Sequence, residues 1–343
     1  MMAIQEEVQQ LTFSHISRLT DDRGIFEHAI GSHPRFVHGY CTDDNARLLV
    51  VSAREKNQPD SEIFERIAAR FLLDAMMPNG KVHNRMSFDR VWTDQPSTDD
   101  CWGRAMWGLG VAVADSADTE IRNRCYEAFA LGTQQRSRYL RSRCFAALGA
   151  VEVLKVDPAN EDALGLVLDA AQVLNSLVHG SLQWPWPEER LTYANALIPE
   201  TMLACGVTLN DAGLVQRGIS LLHWLVARET NGEHLSVTPV GGCGYLGQAH
   251  GFDQQPIEVA ALADAAKRAR TITKDEYWDD VLHMAVTWFL GNNDSGVSMI
   301  DFETCGGYDG LEHDGVNMNQ GAESTLAMLA TMQLRPLLWS DAP

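Results

Sequence analysis

The sequence predicts an all-α protein. Six inner and six outer helices would pair as hairpins and close into an (α/α)6 toroid, one domain over residues 1–343. Three observations predict it. A polar cluster opens an apolar helical stretch six times, amphipathic stretches alternate with those six, and the connections alternate between long and short.

The six marked segments read GYCTDDNARLLVVSA from Gly39, STDDCWGRAMWGLGVAVA from Ser97, QQRSRYLRSRCFAALGAVEVL from Gln134, ERLTYANALIPETMLACGVTL from Glu189, GFDQQPIEVAALADAA from Gly251 and NMNQGAESTLAMLATMQL from Asn317. With Asp44, Asp100, Ser142, Asn195, Pro256 and Gly321 as equivalent starts, the steps are 56, 42, 53, 61 and 65 residues. This is a degenerate structural repeat, and repetition decides the fold before any single element does. The segments are rich in Ala, Gly and Leu and poor in charge, as in helices crowded on most sides. They are the inner helices.

Between them lie stretches with one apolar stripe and a charged outer face, the signature of solvent-side helices. Residues 61–77 carry Ile63, Ile67, Phe71 and Ala75, widened by Phe64 and Leu72. Residues 161–178 repeat Leu164, Val167, Leu168, Ala171 and Leu174, and residues 211–228 carry Leu214, Ile219, Leu222 and Leu225. Residues 274–290 carry Trp278, Val281, Leu282, Ala285 and Phe289, while 4–19 and 118–131 show weaker patterns. Strand signals are limited to Lys81–His83 and Gly296–Ile300.

Loops leading into the inner helices are long: 20–43, 78–99, 179–193, 230–255 and 291–319. Those leaving them are short, such as 208–211 and 270–274. Connections beyond about 15 residues are uncommon in compact domains and are often functional. In antiparallel hairpins all the long loops emerge on one face, which should carry the site. An open solenoid is the alternative, but solenoids have tighter repeats and short loops on both faces.

Composition narrows the function. The net charge of −19 argues against nucleic acid and anionic membrane, whose binding needs basic patches. No apolar run approaches the ~18 residues of a membrane span, and the N-terminus lacks the pattern of a signal peptide. Seven cysteines in no paired spacing read as reduced thiols, so a cytoplasmic protein is expected. No HExxH or Cys/His spacing, P-loop, Rossmann fingerprint or GxSxG elbow appears, so neither a metal nor a cofactor is expected.

Acids gather at the expected funnel. Asp43, Asp44, Asp99, Asp100, Glu188, Glu189, Glu200, Asp253, Glu258 and Glu323 stand near inner-helix starts, with Glu312 and Asp314 in the last long loop. Acids at helix starts commonly cap them, which suits Asp43, Asp99 and Asp253. It suits Glu200 and Glu323 poorly, because they lie among small and apolar residues past the helix start. Paired carboxylates across a cavity are what glycosidic cleavage needs. One protonates the leaving oxygen and one activates water or attacks the sugar. Tyr40, Trp102, Trp184 and Trp186 offer flat rings of the kind that cover sugar faces. Arg104, like Arg47, follows an acid at helical spacing, so it forms an intrahelical pair or orients an acid.

At these residues the chain resembles the six-hairpin glycosidase-like superfamily. FEHA, HGYCTDDNARLL, DDCWGRAMWGLG and NQGAESTLAML look like a toroid found alone or fused to bacterial sugar-nucleotide glycosyltransferases. The resemblance covers nearly the whole chain. It implies a carbohydrate-active enzyme with chemistry carried by acids at the funnel mouth, and a glycosyltransferase as a partner.

The leading expectation is a glycoside hydrolase or phosphorylase acting on an oligosaccharide, with Asp100 and Glu323 as the acid/base pair and Asp44 and Glu200 as further catalytic candidates. Arg104, Asp253, Glu258, His313, Asn319 and Gln320 would bind sugar beside the four aromatic platforms. Two alternatives stand. A sugar epimerase or isomerase would use His38, His250 and His313 as proton shuttles, as the enzymes of that kind that the chain resembles do. A non-catalytic glycan-binding partner of a glycosyltransferase would bind sugar without turnover.

Overall fold

The computed structural model describes residues 11–55, 58, 60–177, 183–247 and 250–334. Residues 4–10 of the first outer stretch and 179–182 of the third long loop lie outside them.

Among the described residues twelve α-helices follow the expected alternation. The inner ones are α2 (Thr42–Arg54), α4 (Asp100–Asp115), α6 (Leu140–Val156), α8 (Leu197–Thr208), α10 (Pro256–Thr273) and α12 (Ala322–Met332). The outer ones are α1 (Ser14–Leu19), α3 (Ser61–Ala75), α5 (Thr119–Gly132), α7 (Glu161–Ser176), α9 (Ala212–Arg228) and α11 (Tyr277–Phe289). Each inner helix packs on the next, and α12 packs back on α2. That closure makes a toroid and rules out the open solenoid.

Burial explains the two helix classes. In α2 every residue but Asp43 and Arg54 is buried, whereas α3 buries one stripe. That stripe is rotated from the expected one: Phe64, Ala68, Phe71, Leu72 and Ala75 point inward and Ile63 is exposed. In α7 Leu166 and Ala170 take the place expected of Leu168, which is exposed. Every stripe residue expected in α11 is buried.

The closest inner contact uses missing side chains. A Cβ on Gly149 of α6 would stand 2.1 Å from the Met106 carbonyl of α4, and one on Gly110 would stand 2.2 Å from the Gly149 carbonyl. All seven cysteines are buried.

The long connections span 20–41, 76–99, 177–196, 229–255 and 290–321. They hold twelve strands of two or three residues, in six antiparallel ladders among the described residues. Most escaped the sequence because two residues show no alternation. Two ladders tie one loop to another: Tyr40–Cys41 pairs with Arg85–Met86, and Arg190–Leu191 with Cys243–Gly244. The loops thus form a layer over the N-terminal ends of the inner helices. No helix among the described residues is long and apolar enough to cross a membrane.

Candidate active site

The start of α2 shows how the sequence builds the site. Cys41, not an acid, is the N-cap, and its sulfur accepts from the Asp44 backbone N–H at 3.4 Å. Thr42 donates to the His83 carbonyl at 2.6 Å, and Asn45 accepts from the Ile25 N–H at 3.1 Å. These bonds pin the first two long loops to the helix. They leave Asp43, Asp44 and Arg47 facing the axis, so Asp43 is a cavity residue rather than the cap expected of it.

The cavity at this end encloses about 430 Å³. Asp43, Asp44, Arg47, Asp100, Arg104 and Glu323 line it from three inner helices. Glu27, His28, Arg85, Tyr193, Asp253, Gln255 and Asp309 line it from the loops and the start of α10. The positive N-terminal ends of the inner helices converge here and offset part of the acid charge.

Arg47 organises the deepest part. It donates to Asp44 at 2.5 Å and, through its other terminal nitrogen, to Glu323, so one guanidinium holds two carboxylates. Asp44 is 2% exposed and also accepts from the Cys41 thiol at 3.0 Å. Burial outweighs the Arg47 charge and pushes its carboxyl up to about 6. Burial likewise raises Asp43, against the pull of Arg104, whose Nε stands 3.5 Å away. Arg104 lies 4.3 Å over the Phe145 ring, and burial with the nearby Arg47 charge lowers its pKa. On the opposite wall the Tyr193 hydroxyl donates to Asp100 at 2.5 Å.

Of the four catalytic candidates, Asp44, Asp100 and Glu323 share this cavity. Glu200 does not. It accepts from Arg268 at 3.0 Å and faces the other mouth of the toroid, beyond an apolar waist lined by Val50, Trp107, Phe145, Leu148, Ile257 and Leu326.

Among the binding candidates, Arg104 and Asp253 line the cavity, and one buried oxygen of Asp253 has no hydrogen-bond partner. The four expected platforms are packing residues with covered faces. Tyr40 is stacked on Phe26 and donates to Asp21, and Trp102 donates to the Gly132 carbonyl. Trp184 and Trp186 pack against Trp224. Glu258 accepts from the backbone of Ala194 and Asn195, bracing the start of α8. Asn319 accepts from Gly31, and Gln320 bonds Asp301 and Thr304, so both tie loops together. His313 sits exposed beside Asp314. Asp309 approaches Gly321 closely and accepts from its N–H at 2.7 Å.

Sequence reasoning missed Glu27, His28, Arg85 and Asp309. They sit in loops, where no periodicity fixes direction; the FEHA motif was the one signal for Glu27 and His28, and Arg85 and Asp309 had none. Glu27, Cys41 and Asp44 come within 4.8 Å of one another, the one grouping with metal-ligand spacing among the described residues. In it Cys41 already donates to Asp44, Asp44 is held by Arg47 and Glu27 by Arg85.

No protein-family model matches the chain, and no curated protein does. Solved structures share its fold. A sugar epimerase from a ruminal bacterium is similar over all of both chains, with a TM-score of 0.73 and 13% identity. A D-mannose isomerase is similar over 97% of each chain, at 0.70 and 10%. A glycoside hydrolase family 76 α-mannanase of Bacteroides thetaiotaomicron is similar over 98% of this chain and 94% of its own, at 0.64 and 10%.

Proposed function

We propose that the protein is a carbohydrate-active enzyme that cleaves a glycosidic bond in an oligosaccharide, with Asp100 and Glu323 as its acid and base. The observation that carries this reading is the lining of the funnel. It presents carboxylates set by guanidinium groups, and His28 is the one imidazole among the described residues that line it. Proteins sharing this fold carry names of sugar-converting enzymes, both hydrolase and epimerase.

The contacts support the following roles. Asp100 gives its proton to the leaving oxygen as the bond from that oxygen to the anomeric carbon breaks. Glu323, oriented by Arg47, takes a proton from the water whose oxygen bonds to that carbon. Phosphate in place of water makes the reaction a phosphorolysis, distinguished by a sugar phosphate among the products. Asp44 and Arg47 position Glu323, and Asp43 with Arg104 shapes the wall between the two carboxylates.

The epimerase reading rests on fold likeness and needs imidazoles at the sugar. His38 lies against His28 at the rim, with ring centroids 4.8 Å apart, while His250 and His313 are not among the lining residues. The test is product analysis with a panel of disaccharides. Release of two sugars, or of one sugar and a sugar phosphate, supports cleavage. One sugar converted without release supports epimerisation. Binding without turnover, surviving loss of every lining acid, supports a glycan-binding protein.

A further inference from the structure

A second cavity of about 370 Å³ opens beside the first, and the two share Tyr193 and Gln255 as their common wall. Arg190, Thr192, Thr238, Val240 and Glu258 line its other sides. We propose that this side cavity is the subsite for the leaving sugar, so that the substrate lies across Tyr193 with one ring on each side. The inference rests on the cleavage reading above and deepens it: the glycan is gripped on both sides of the broken bond.

Five observations carry it. Tyr193 is a flat ring, 40% exposed, whose other face is held by the Arg141 guanidinium at 4.8 Å. An aromatic ring backed in this way is a fixed platform for a sugar face. Its hydroxyl bonds Asp100, so the shared wall carries the carboxylate that must reach the leaving oxygen. The Thr192 hydroxyl oxygen, at the side cavity, is buried with no hydrogen-bond partner, and a buried polar group of that kind calls for one. The wall is rigid: Arg141 donates to the Tyr193 carbonyl at 2.5 Å, and Glu258 accepts from the next two backbone amides. Both cavities fall in the size range of small-ligand sites.

The test fills the side cavity and leaves the central one alone. Val240 is 57% exposed, so Val240→Trp puts an indole there with little demand on the core. The probes are cellobiose, mannobiose and maltose, against the fluorides of glucose and mannose, whose leaving group is a single atom. Val240→Trp should raise KM for the disaccharide that turns over by about tenfold or more, and leave kcat/KM for the matching glycosyl fluoride within about twofold. Thr192→Val, nearly isosteric, should raise the disaccharide KM several-fold and spare the fluoride. Equal effects on both probes, or none on either, overturn the subsite. Calorimetric binding of each disaccharide to wild type and Val240→Trp reads the subsite independently of chemistry, and unchanged affinity also overturns it. Normal turnover in Asp100→Asn and Glu323→Gln would instead remove the carboxylate mechanism and leave the calorimetric result standing.

Discussion

Arg47 shows how single residues set this site. Its guanidinium is nearly buried, and so is Asp44, while Glu323 stays 39% exposed on the cavity side. A buried charge stripped of its partners is costly, so Arg47→Met should destabilise the protein by about 3–5 kcal/mol, read as a shift in the denaturation midpoint. The catalytic proposal gives a different signature. Asp100→Asn and Glu323→Gln should each lower turnover by about 100-fold or more while melting stays near that of wild type. Asp44 adds a pH dependence. Its carboxyl is raised in the folded state to about 6, so its stabilising share is complete below about pH 4 and is lost as pH rises through about 6. Glu229 and Glu258, a buried like-charged pair also raised by burial, act in the same direction. Melting temperature should therefore fall as pH rises from about 5 to 8, and Asp44→Asn, which cannot ionise, should flatten part of that slope. At this scale the sequence was half legible. Asp44, Asp100, Arg104, Asp253 and Glu323 could be named from their positions at helix starts. Trp102 could not be read correctly from its nearness to Asp100. Two residues along a helix is about 200° around it, so a side chain two places from a cavity acid points into the protein.

Among the elements, capping and close packing carry the fold, and both are testable without touching the site. Asp118 caps α5 by accepting from the backbone of Glu120 and Ile121, so Asp118→Ala should cost about 1 kcal/mol, with turnover per folded molecule unchanged. The Gly149 contact between α6 and α4 leaves no room for a methyl group, because the atom it would meet is backbone. Gly149→Ala should cost about 1–3 kcal/mol by thermal melting. Helix positions and order were legible because amphipathic period and segment composition record burial directly. Which residue caps was not. Cys41 caps α2 where Asp43 was expected, since the acid preference at helix starts does not say which of two neighbouring acids the incoming strand turns toward the axis. The short ladders that tie loop to loop were also illegible: their partners are far apart in sequence, and two residues cannot show a period.

Over the whole molecule, closure of α12 on α2 gathers one end of every inner helix around a single axis. Alternating connection lengths then put all the long loops on that end. This is why five of the six scattered polar clusters, dozens of residues apart, become one acid-lined funnel. Glu200 is excluded from it although it lies in the first turn of α8: it pairs with Arg268 and belongs to the other mouth, beyond the apolar waist. The ring, its inner and outer members and the face that bears the long loops were all legible as consequences of the repeat. The path of the loops, which brings Glu27, His28, Arg85 and Asp309 to the mouth, was not, because long-range packing alone fixes it. The central claim is that this funnel cuts a glycosidic bond with carboxylates. The most direct measurement is product analysis of disaccharide turnover by wild type, Asp100→Asn and Glu323→Gln side by side, with folding checked by melting. The account predicts release of a second sugar by wild type and a loss of about 100-fold or more in each folded variant. Conversion of the sugar with no release, or turnover undiminished in both variants, would contradict it.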